Sequence, residues 1–192
     1  SLLSLFSIRF LIRLSVRLIG PVLPLFVQSI VAPTARLATI TGLISGVQAG
    51  ASAIGAVTLG RASDRIGYRR VLLTCAALGA LLYVPQFFVT SPWQLLILQG
   101  ATGLAMSGVL ASTSALLANL APEGRQGAVY GVDASVVSAA NAVGPMLGAS
   151  VAAAVGLRAP FLLTAGGLAL ASGLVWLLLP RNEHEKGSTA QN

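Results

Sequence analysis

Long apolar runs joined by short links decide what this chain can fold into. Cut at charges and at Pro, Ser or Thr clusters, six runs fall at about 5–28, 38–59, 71–89, 93–117, 126–155 and 160–179. A helix needs about 20 apolar residues to cross a bilayer, and each run approaches or exceeds that length. Composition agrees: 9% of residues are charged and 55% hydrophobic, with a mean hydropathy of +0.85. A soluble domain carries about 25% charged residues, so this chain has too little polar surface to wrap a globule in water. The expected fold is an all-α membrane protein of six transmembrane helices. Residues 1–180 would form the bundle and 181–192 a polar cytoplasmic tail. The links are short, which makes consecutive helices antiparallel neighbours. The first run is long, holds internal arginines and is followed by no small-residue cleavage pattern, so it does not read as a signal peptide.

The net charge is +7. A basic chain usually suggests nucleic acid, but that needs a solvated basic face. Here most arginines sit at the ends of apolar runs, where positive charge sets membrane orientation. Arg61, Arg65, Arg69, Arg70, Arg125, Arg181 and Lys186 collect on one side, against Arg36 and Arg158 on the other. The first side is therefore expected to be cytoplasmic, with both termini inside, in a cytoplasmic (inner) membrane. Tyr68, Tyr130 and Trp176 then fall near the inner boundary, and Phe87, Phe88, Trp93 and Phe161 near the outer one. Membrane lipid is the expected partner and nucleic acid is not. The single cysteine, Cys75, rules out an intramolecular disulfide, and the single histidine, His184, lies in the tail. No Gly-x-Ser-x-Gly elbow, His-Glu-x-x-His or Walker loop occurs. No enzyme activity, metal site or cofactor is expected.

The most specific segment is the link 60–70, which reads Gly60-Arg61-Ala62-Ser63-Asp64-Arg65-Ile66-Gly67-Tyr68-Arg69-Arg70. Taken alone it is a loop with turn glycines, an acid near a helix start and arginines for the headgroups. It also resembles the cytoplasmic motif Gly-x-x-x-Asp-Arg-x-Gly-x-Arg-Arg of the major facilitator superfamily, found between the second and third helices of a six-helix half. Gly60, Asp64, Arg65, Gly67, Arg69 and Arg70 match it; Ala62 stands where the family usually has Leu. The link Ala121-Pro122-Glu123-Gly124-Arg125-Gln126-Gly127 resembles the family's connection between the fourth and fifth helices. Gly144-Pro145-x-x-Gly148 resembles the antiporter motif of drug:proton antiporters, with Ala149 in place of its last glycine. Pro21 and Pro24 fit a first helix of a half. These features lie in family order over nearly the whole chain and look closest to the C-terminal half of a twelve-helix drug efflux transporter. The resemblance implies half of a secondary active transporter working by alternating access with a second half, as a homodimer or with a complementary half. Its substrates would be small lipophilic or charged molecules, with protons as coupling ions. A start at Ser1 instead of Met, with one half present, suggests a cut or engineered chain. The rival reading is a non-transporting membrane half-domain.

Charges inside the spans single out further residues. Arg9, Arg13 and Arg17 recur every fourth residue and share one helix face. Arg17 lies roughly 18 Å along the helix from residue 5, and an arginine at the bilayer centre costs about 2.5–3.5 kcal/mol. Snorkelling accounts for Arg9 and partly for Arg13, but poorly for Arg17. The stripe reads as an anion site or proton relay, or equally as helix pairing. Asp133 is the one acid well inside a span. It sits roughly 12 Å inward of Arg125, level with Arg13 or Arg17. A buried Arg17–Asp133 pair is the expected arrangement, with Asp133 the candidate for proton coupling and a static ion pair the alternative. Gln48 and Asn141 are the polar residues singled out for a substrate path. Gly42, Gly46 and Gly50 form one smooth stripe, and Gly144 and Gly148 another, beside the hinge-forming Pro145. Tight packing within the bundle is the favoured reading. In the family these helices also face the second half, so both stripes and the arginines near a two-fold axis are the expected homodimer surface.

Overall fold

In a computed structural model, residues 2–31 and 37–178 are described. Arg36 and the tail residues Arg181 and Lys186 lie outside them. Among the described residues seven helices run in order: α1 (Leu2–Arg17), α2 (Val22–Ile30), α3 (Leu37–Ile66), α4 (Tyr68–Gln86), α5 (Pro92–Leu120), α6 (Gln126–Val155) and α7 (Ala159–Leu178). No strand occurs among the described residues. Five stretches are long and apolar enough to cross a membrane: α1 with α2, then α3, α5, α6 and α7. Helix α4, with Arg69 and Arg70 in its first turn and Pro85 and Gln86 in its last, is not among these five.

The first run was expected to be one helix and is two. Pro21 and Pro24 cannot donate to the carbonyls of Arg17 and Gly20, so the ladder fails there. The chain bridges the gap with bonds from the Val22 and Leu23 amides to the Ile19 carbonyl, at 3.0 and 2.9 Å.

Packing follows an arc whose end helices, α3 and α6, are both touched by the short α2. The third helix lies on α5, α5 on α4, α4 on α7, α7 on α1, and α1 on α6. Helix α5, inside the arc, buries Leu95, Ala105, Val109, Leu116 and Leu117 among others. The ends of the arc are different. Helix α3 buries only Ile44, Gly55 and Ser63 in 30 residues, and α6 only Val129, Ala140, Gly144 and Gly148 in 30. Both end helices therefore keep a long face uncovered.

The outer aromatic belt needs one correction. Phe161 is completely buried and its ring lies 5.0 Å from that of Phe26, tilted against it. An aromatic pair of this geometry adds about 0.5–1.5 kcal/mol beyond its buried area. Arg158 stands over the Phe26 ring at 5.5 Å and donates to the Phe87 carbonyl, tying three segments together. Phe161 starts a helix whose face meets the core, and that outweighs its position near a span boundary. Trp93, Phe88, Trp176 and Tyr130 are exposed, as belt residues should be.

Candidate functional site

Helices α1 and α6 carry Arg9, Arg13, Arg17 and Asp133, and they lie side by side. Arg9 Nη2 donates to Asp133 Oδ2 at 2.9 Å, while Arg9 Nε lies 2.6 Å from Oδ1. Two turns further, Arg17 Nε donates to Asn141 Oδ1 at 2.7 Å. Both rungs join residues 124 apart in sequence. A constant offset means that the two helices run parallel, so one face of each forms a ladder.

The ladder overturns the expected Arg17–Asp133 pair. Asp133 is held by Arg9, the arginine that snorkelling seemed to explain, and Arg9 is only 6% exposed. The error was one of depth. Arg9 lies seven residues into α1 and Asp133 seven residues into α6 (9 − 2 and 133 − 126). Starting the first run at residue 5 instead of Leu2 shifts the register by about one turn, which accounts for Arg13; Arg17 lies a further turn off. Counting from matched helix starts would have found the pair.

The other path residues are placed unequally. Arg13 is half-buried between the two rungs. Gln48 is half-buried on α3, whose main neighbour is α5, and takes no part in the ladder. Its backbone carbonyl instead lies against Gly103, where a Cβ would collide with it. Pro145 lacks an amide, so the Asn141 carbonyl loses its helical donor.

The two glycine stripes differ. A Cβ at Gly144 would fall 2.6 Å from the Arg17 Cβ, and one at Gly148 would strike the Leu18 carbonyl. These glycines bring α6 down onto α1 and are not available to face a second half, which corrects the expected dimer surface. Gly42, Gly46 and Gly50 are exposed, with nothing within 4 Å of an added Cβ.

The segment 60–70 is not the loop its composition suggested. Helix α3 runs through Gly60, Asp64 and Arg65 to Ile66, and α4 starts at Tyr68. Only Gly67 breaks the path, at φ 101°, a conformation that favours glycine. Asp64 accepts a 2.8 Å hydrogen bond from the Tyr68 hydroxyl across that break. Arg69 donates to the Trp176 carbonyl at 2.8 Å, in the last turn of α7. A cation at a helix C-terminus satisfies an orphan carbonyl and complements the helix dipole. Arg65 and Arg70 are exposed, and the Gly60 carbonyl accepts a 2.6 Å hydrogen bond from the Ser63 hydroxyl.

A family model described as Major Facilitator Superfamily matches residues 5–192. The chain belongs to the major facilitator superfamily. As a member of that superfamily it is an integral membrane protein, consistent with its apolar helices. It is 33% identical over 184 residues to "Multidrug resistance protein MdtG" of Dickeya zeae, covering 96% of this chain and 45% of that relative. The protein of the same name from Enterobacter lignolyticus is 37% identical over 163 residues, covering 85% of this chain and 39% of its own. The chain thus spans less than half the length of these superfamily relatives.

Proposed function

We propose that this chain is one six-helix half of a secondary active transporter of the multidrug-efflux type. In this reading α4 crosses the bilayer with the other five stretches, residues 1–180 form the transport unit and 181–192 a cytoplasmic tail. Both termini face the cytoplasm of an inner membrane. The observation that carries it is the arc: α1 and α6 form a charged ladder, and the end helices α3 and α6 each keep a long exposed face. Transporter substrates bind near the bilayer midplane at the interface between repeats. A second half, a copy of this chain or a complementary unit, would close that interface and rock against it. The similarity to proteins named for multidrug resistance supports small-molecule substrates.

Within this scheme each group has a part. Arg13, Arg17 and Asn141 line the path, with Gln48 across the arc. Asp133, held by Arg9 in this conformation, is the group proposed to couple transport to protons as the halves move. Gly60, Asp64, Arg65, Gly67, Arg69 and Arg70 govern conformation at the inner end. Gly42, Gly46 and Gly50 give α3 a smooth surface for its counterpart.

The experiment is transport in reconstituted vesicles. Asp64→Asn is expected to slow efflux while leaving substrate affinity nearly unchanged. A large loss of affinity with normal turnover would assign the segment to binding instead.

A further inference from the structure

The α1–α6 ladder has an empty middle rung. Arg9 meets Asp133 and Arg17 meets Asn141, both at an offset of 124. The same offset sets Val137 opposite Arg13, and valine has no acceptor to offer. Among the described residues Arg13 makes no hydrogen bond or ion pair. Arg9 adds to the imbalance: its Nη1 is buried and has no partner. Three guanidinium groups thus share one carboxylate, leaving a charge of +2 within a stretch about 12 Å long. Guanidinium presents donors in a planar fork suited to oxyanions. The site is also reachable, since Arg13, Val137 and Asn141 are half-buried and Arg17 is exposed.

The geometry points to an oxyanion-binding site centred on Arg13, at which a carboxylate, sulfonate or phosphate group fills the rung that Val137 leaves empty. This rests on the transporter reading and narrows it, because it selects substrates carrying an acidic group over lipophilic cations. The oxyanion could belong to a small transported molecule or to a lipid headgroup. Both present the same atoms to Arg13.

The test uses the purified chain in a neutral maltoside detergent and two probes of equal shape, 1-naphthalenesulfonate and 1-naphthylmethylammonium, in equilibrium dialysis. The sulfonate should bind at least tenfold more tightly. Arg13→Gln should remove that preference and Arg13→Lys should restore part of it. Val137→Asp supplies the missing acceptor, so it should abolish sulfonate binding and raise the unfolding midpoint, which separates occupation of the site from loss of fold. Adding phosphatidylglycerol, with phosphatidylcholine as control, distinguishes the sources. Displacement of the sulfonate by the anionic lipid alone assigns the site to a headgroup; no displacement assigns it to a soluble oxyanion. Absence of saturable sulfonate binding, or binding unchanged in Arg13→Gln or Val137→Asp, overturns the site. The transporter reading fails on a different result, the absence of efflux of any probe from vesicles.

Discussion

Arg9 and Asp133 show why charge inside an apolar bundle is arranged in pairs. Each alone would impose a burial cost; held by one hydrogen bond and a close ion-pair contact, they offset one another, although replacing the whole pair by apolar residues of similar volume is often neutral or stabilising. Breaking the pair from one side is different, because the survivor stays buried and uncompensated. Asp133→Ala is expected to cost about 3–5 kcal/mol, read by unfolding in mixed micelles. A double-mutant cycle of Arg9→Ala with Asp133→Ala should show strong coupling. The cycle of Arg17→Ala with Asp133→Ala should be additive within about 0.5 kcal/mol, since the two lie two turns apart and have separate partners. Strong coupling in the second cycle and none in the first would reject the observed register. The residue types of this site were legible in the sequence, since charges in apolar runs stand out. Their pairing was not, because an error of one or two turns in depth exchanges Arg9 for Arg13 or Arg17, and nothing local to these residues corrects it.

At the scale of the helix, glycine carries two opposite meanings that identical spacing conceals. Gly144 and Gly148 meet the backbone and side chains of α1, so an added methyl must push two helices apart. Overpacking of this kind costs typically about 1–3 kcal/mol and sometimes more. Gly148→Ala should therefore destabilise by at least that amount in the same micellar unfolding assay. Gly46→Ala should be neutral or stabilising by about 0.5–1 kcal/mol, because glycine within a helix is itself unfavourable and nothing approaches its missing Cβ. Equal effects at the two positions would contradict the packing described. Gly67 is a third case. Its φ of 101° serves the turn between α3 and α4, and Gly67→Ala should cost more than about 1 kcal/mol by forcing a side chain into a conformation it rarely adopts. Sequence periodicity placed the helices well because hydrophobic runs and charged links are strong local signals. It missed the break between α1 and α2, where two prolines act on carbonyls four residues earlier. It also took the segment 60–70 for a loop, although that segment is helical save for Gly67.

For the molecule as a whole, the arc order α3–α5–α4–α7–α1–α6 sets the problem that function must solve. Its end helices leave long faces uncovered, and one flanks a ladder bearing excess positive charge. Lipid tails could cover the apolar parts, but a guanidinium held against hydrocarbon is costly. On the proposed reading, a second half that encloses water-filled space would resolve this. Fold class was legible from length and composition, and family from the order of short motifs. Which glycine face is free was not, because that depends on how far α1 and α6 approach each other in space. If the second half is another copy, Gly46→Cys in a Cys75→Ser background should cross-link to about twice the 19.5 kDa of the chain. Only monomer would leave a different complementary half as the partner. The most direct measurement is labelling of single cysteines in sealed vesicles with a polar, water-soluble maleimide. A cysteine at Gly46, on the uncovered face of α3, should react, while one at Leu81, an exposed apolar position on α4 expected to face lipid, should not. If both remain unreacted, α3 faces lipid, and the chain is not the half of a transporter that encloses an aqueous path.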